Sequence, residues 1–71
     1  MLNFTKLSEA GAKITYEIMW GDLGIIIYDK DKRTVKLFDE SGKEYDCDDI
    51  KFAFIFVMKA DFPDNYVYAS N

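Results

Sequence analysis

Seven consecutive apolar residues, Phe52-Ala53-Phe54-Ile55-Phe56-Val57-Met58, sit in a chain of 71 residues that is otherwise evenly polar. A strand with one wet face alternates apolar and polar positions. This stretch does not alternate, so as a strand it expects cover on both faces. A chain this short has little of its own to lay on the second face. That raises the expectation that a partner surface completes its burial.

The chain starts at Met1, and its length fits one complete domain, 1–71. A domain of this size buries only about 60% of its unfolded surface. One tryptophan, five tyrosines and six phenylalanines offset that handicap, since each large aromatic buries roughly 150–250 Å². Intrinsic disorder does not fit this apolar content. Thirteen acids against nine bases, with no histidine, leave a net charge of −4. That balance argues against generic binding to phosphate backbones or anionic membrane surfaces, both of which draw on cationic side chains. A lone cysteine, Cys47, allows no internal disulfide and suits a reducing compartment. The N-terminus lacks the apolar core of a signal peptide, and no run approaches the roughly 20 residues that span a bilayer. The expectation is a cytoplasmic protein.

Along the chain, residues 1–11 carry the weakest signal, with Ser8-Glu9-Ala10-Gly11 open to a helical turn or plain loop. From Lys13 the period becomes two, with Ile14, Tyr16, Ile18 and Trp20 on one face. Gly21-Asp22-Leu23-Gly24 permits a turn, and Ile25-Ile26-Ile27-Tyr28 has strand character. Asp29-Lys30-Asp31-Lys32-Arg33 reads as a charged turn. Thr34–Phe38 reads as a strand, Glu40-Ser41-Gly42-Lys43 as a hairpin loop, and Lys43–Cys47 as a further short strand. Asp48-Asp49-Ile50 reads as a helical turn opened by an Asx cap. For 51–58 the strand reading is preferred. A helix is the alternative, supported by acidic residues at its start and Lys59 at its end, which match the helix dipole. Pro63 closes the element either way, and Tyr66-Val67-Tyr68 could add an edge strand. The predicted fold is mainly β: a five-stranded antiparallel meander or small barrel with one helical turn. The alternative is an α+β fold, a four-stranded sheet with a C-terminal helix at 49–60.

Gly24-Ile25-Ile26-Ile27-Tyr28-Asp29, Val35-Lys36-Leu37-Phe38, Ser41-Gly42-Lys43-Glu44-Tyr45 and Asp48-Asp49-Ile50 follow one another in an order that resembles the SH3-like small barrels, which include Tudor and KOW-type modules. The resemblance covers about half the chain. It implies a binding module for peptides, modified tails or nucleic acid, an implication drawn from fold alone.

No catalytic, cofactor or metal motif emerges. Asp29, Asp31 and Glu40 occupy the first, third and twelfth positions of an EF-hand frame. Arg33 then stands where a ligand is needed and Thr34 where the turn needs glycine, so the reading is a solvated hairpin. Asp46-Cys47-Asp48-Asp49 lacks the histidine or second cysteine of a closed zinc site, and Cys47 has no base to activate it. Neither an enzymatic role nor a cofactor is expected.

Two surfaces carry a functional expectation. Asp39, Glu40, Glu44, Asp46, Asp48 and Asp49 oppose Lys43 alone and would form an anionic rim that steers a basic partner. If the inward faces hold Ile14, Tyr16, Ile18, Ile25, Ile27, Val35 and Leu37, then Tyr28, Phe38 and Met19 point outward and border that rim as an apolar interface. The leading expectation is a non-enzymatic interaction module, an acidic inhibitor or adaptor that binds a basic protein face or itself. Small acidic proteins of viruses and mobile elements offer a loose comparison. A nucleic-acid-binding barrel using Lys30, Lys32, Arg33 and Lys36 with Tyr28 and Phe38 is the alternative. A structural subunit of a larger assembly is the third reading.

Overall fold

Period-two alternation shapes most of the molecule. The computed structural model describes residues 1–20 and 22–69, the side chains at 20, 22 and 23 excepted. The elements are β1 (Leu2–Ala10), β2 (Lys13–Trp20), β3 (Asp22–Asp29), β4 (Thr34–Asp39), β5 (Glu44–Tyr45), α1 (Asp48–Lys59) and β6 (Asn65–Tyr68). The strands form one antiparallel sheet in the order β5-β4-β3-β2-β1-β6. The fold is thus mainly β, as the sequence predicts, with six strands in a sheet that is not closed.

The preferred strand at 51–58 is corrected. These residues belong to α1, within one residue of the alternative helix. Ile50, Ala53, Phe54 and Val57 are its buried residues, spaced i, i+3, i+4, i+7 along one stripe. They meet Leu2, Phe4, Ile14, Tyr16, Ile18, Ile26 and Leu37 from the sheet, and together these side chains are the core. Asp48 and Asp49 in the first turn and Lys59 in the last complement the dipole. The helix ends in a Schellman motif, with Asp61 N–H on the Met58 carbonyl at 3.0 Å and Phe62 N–H on the Val57 carbonyl at 3.1 Å. Asp61 takes the left-handed position, φ 63°, that glycine usually fills.

Four smaller expectations shift as well. Residues 2–10 are a strand, not a helical turn or loop; Leu2 and Phe4 are buried, and Gly11 turns the chain at φ 60°. The register shift between Lys6 and Ser8 marks a bulge that breaks the alternation. The short strand after the glycine hairpin is Glu44–Tyr45, not 43–47. The N-cap of α1 is Cys47, whose side chain makes no capping bond, in place of an Asx cap. The turn predicted at 21–24 falls outside the described residues at Gly21, and Gly24 lies within β3.

The largest change of face is in β3. Ile26 pairs with Tyr16 and Leu37, and Tyr28 with Ile14 and Val35, so Ile26 and Tyr28 share the helix-covered side. Ile25 and Ile27 therefore face away from α1. A slip of one residue exchanges every side chain between faces, and here it sends Tyr28 inward, against expectation.

Candidate interaction surface

The predicted site residues do not assemble as one surface. Tyr28 lies on the helix side, with its ring 5.3 Å from Phe62 and 6.2 Å from Phe54. Phe38 pairs with Ile25 and Glu44 on the opposite, uncovered face. Asp39 is half-buried and organises the β4–β5 turn. Its Oδ1 accepts the Ser41 N–H at 2.9 Å, the Ser41 hydroxyl at 2.7 Å and the Lys43 N–H at 2.9 Å, while Gly42 takes φ 88°. Glu40 is exposed in that turn. Asp46 is paired with Lys51 at 2.6 Å. Glu44, Asp48 and Asp49 are exposed, and no ion pair involves them among the described residues.

The basic hairpin is divided too. Lys30 bonds Glu9 at 3.0 Å and lies over the Phe62 ring at 5.9 Å, on the helix side with Tyr28. Lys32 and Lys36 line an open hollow of about 280 Å³ on the other face, together with Lys13, Ile27 and Phe38. Arg33 takes φ 55° in the turn between them. Asp29 closes that turn by accepting the N–H groups of Asp31 at 2.9 Å and Lys32 at 3.1 Å. Among the described residues, no three histidine, cysteine, aspartate or glutamate side chains are grouped to hold a metal ion, and no helix is long and apolar enough to cross a membrane.

A surface that the sequence reading missed lies on the outer flank of α1. Phe52 is 56% exposed and Ile55 38% exposed. Phe52 stands edge-to-face with Phe56 at 5.7 Å, and Phe56 lies 5.3 Å from the Tyr68 ring of β6. Lys59 Nζ sits 5.7 Å from the Phe56 centroid. Asp48 and Asp49 precede Phe52 by four and three residues and therefore flank it on the helix surface. The result is an aromatic ladder, acidic at the helix N-terminus and basic at its C-terminus. The signal in the sequence was the set Phe52, Ile55 and Phe56, which a helical stripe leaves outside.

The carboxylates that organise turns and ion pairs predict an acid response. The Lys32 N–H holds Asp29 below its ordinary value of 3.8. The Ser41 hydroxyl does the same for Asp39 and Lys51 for Asp46, while Lys30 holds Glu9 below 4.5. Each folded pKa lies below the unfolded one, so each contribution is present above the ordinary value and is lost as pH falls through the folded value. Urea midpoints should therefore decline as pH drops below 4.5. A flat profile in that range would show that these bonds contribute nothing.

No family model, no curated protein and no solved structure matches this chain.

Proposed function

We propose that this chain is a non-enzymatic protein-interaction module, binding a partner with a basic face across the outer flank of α1. The exposure of Phe52, 56% in a ladder with Phe56 and Tyr68, carries this reading. Monomers seldom leave a large aromatic this open at the centre of an apolar strip, and aromatic anchors dominate binding energy at interfaces. Residues 52–58 do not need cover on two pleated faces, because the helix buries one stripe and shows the other. Asp48 and Asp49 at the acidic end would steer a cationic partner and raise its association rate. The resemblance of the β3–β5 portion to SH3-like modules, which mostly bind, points the same way but is fold-level analogy. A nucleic-acid reading keeps Lys13, Lys32 and Lys36 around Phe38, without Tyr28 or Lys30 beside them.

Affinity capture on the immobilised chain, with mass-spectrometric identification, tests the reading. Wild type should retain a protein with a basic surface, and Phe52→Asp should lose it while its circular dichroism stays unchanged. With that protein in hand, replacing Asp48 and Asp49 by asparagine should slow association on the order of tenfold at low salt and less at high salt. Identical capture by wild type and Phe52→Asp would defeat the proposal.

A further inference from the structure

One face of the sheet is covered by α1, and nothing covers the other among the described residues. Ile25, Ile27 and Phe38 form the centre of that open face. Along the strand direction, Lys36 lies level with Ile27 and Lys13 one same-face row beyond it, whereas Glu17 and Glu44 lie level with Ile25 and Phe38. Asp29, the carboxylate at the lysine end, is occupied by the N–H groups of its own turn. The face is therefore polarised along the strands, basic at one end and acidic towards the other.

We propose that this face packs against the same face of a second copy. The inference is independent of partner binding on α1, because it uses the opposite side of the molecule. A two-fold axis lying in the interface and running across the strands reverses the strand direction of one sheet relative to the other. Set between the row of Ile27 and Lys36 and the row of Ile25 and Phe38, that axis lays Ile25 of each copy on Ile27 of the other. It also lays the stem of each Lys36 over Phe38 of the other copy, with the ammonium directed towards that copy's Glu44. Every favourable contact occurs twice, as an isologous interface requires. The Lys36–Glu44 approach thus occurs twice by symmetry alone, whereas a foreign partner would need both a carboxylate and a cation at matching spacing. Two sheets stacked this way adopt the aligned sandwich geometry, about 10 Å apart.

The area sets the strength. Four strands about 4.8 Å apart and roughly 27 Å long give roughly 500 Å² per copy. The sum lies at the low edge of specific interfaces, so the dimer should be weak and should dissociate on dilution.

Sedimentation equilibrium of the full chain, from low micromolar to near millimolar, tests this. Wild type should shift from monomer to dimer across that range, and Ile27→Glu should remain monomeric while its circular dichroism is native. Lys36→Glu and Glu44→Lys should each weaken dimerisation on the order of tenfold, and the double exchange should restore it to near wild type. That rescue holds the test open even if Ile27→Glu folds poorly. Phe52→Asp should leave the dimer intact, so failure of this surface and failure of the α1 surface are separable. A strictly monomeric wild type, a dimer that survives Ile27→Glu, or a charge exchange without rescue would overturn the proposal. So would a monomer that binds oligothymidylate through Lys36 and forms no dimer, which would assign the face to nucleic acid.

Discussion

Phe54→Ala should leave the chain largely unfolded at room temperature, while Phe52→Ala, two residues away, should cost little. Phe54 is fully buried in the core. Its ring lies 5.5 Å from Tyr16, 5.9 Å from Phe4, 6.2 Å from Tyr28 and 6.5 Å from Phe62. It therefore joins β1, β2, β3 and the segment after α1 in one aromatic cluster. Removing a buried phenylalanine costs about 3–5 kcal/mol, through lost transfer energy and the cavity left behind. A domain this small has a total stability of roughly 4–10 kcal/mol, so the substitution removes a large share of it or all of it. Phe52 is 56% exposed and has far less burial to lose. The pair also distinguishes helix from strand. In a strand, residues 52, 54 and 56 share one face, and the two substitutions would cost alike. In the helix they point apart. Urea unfolding of both variants reads the difference directly, and equal losses would refute the packing of α1 described above.

What the sequence disclosed depended on whether a segment carried its own phase. In β2, Ile14, Tyr16 and Ile18 alternate with Thr15 and Glu17, and all three are buried as the alternation requires. The β4–β5 hairpin was legible because glycine at 42 meets a positive φ. In β3, three successive isoleucines carry no phase. Only the pairing of Ile26 with Tyr16 and Leu37 settles which of them face the helix, and that information lies in other strands. The expectation for Tyr28 failed for this reason. In β1 the bulge at Lys6/Ser8 shifts the phase in mid-strand, so Leu2 and Phe4 did not extend into a recognisable pattern. For α1, the strand preference of phenylalanine, isoleucine and valine competed with the dipole match and prevailed in the sequence reading. Tertiary need decides the other way, because a single sheet with one apolar face requires a second layer. Ala53 was the overlooked sign, a small, fully buried residue inside the stripe. At the helix end, Asp61 fills a left-handed position without the glycine that would have announced it. The acidic rim was legible as charge but not as geometry, because Asp39 and Asp46 are engaged locally.

At the alkaline end, stability should fall between pH 10 and about 12 because Tyr16 must stay protonated. Its side chain is fully buried in the core, and its hydroxyl donates to the Pro63 carbonyl in the segment after α1. Burial pushes its pKa from 10.0 up to about 12, and the carboxylates of Glu9 and Asp64 add to the rise. A folded pKa raised above the unfolded one means the neutral phenol favours the fold. The contribution is fully present below pH 10.0 and is lost as pH rises through about 12. A shift of this size corresponds to roughly 2–3 kcal/mol, which is substantial for so small a domain. Tyr16→Phe should lower stability at neutral pH by about 1–3 kcal/mol, since the Pro63 carbonyl loses its donor. It should also flatten the alkaline limb, leaving a residual slope from Tyr45, whose pKa burial also raises. Urea unfolding at stepped pH, with phenolate absorbance followed in parallel, measures both. If the wild-type and Tyr16→Phe curves run parallel above pH 10, then Tyr16 ionises without unfolding, and the sealed contact between β2 and the Pro63 segment does not exist in solution.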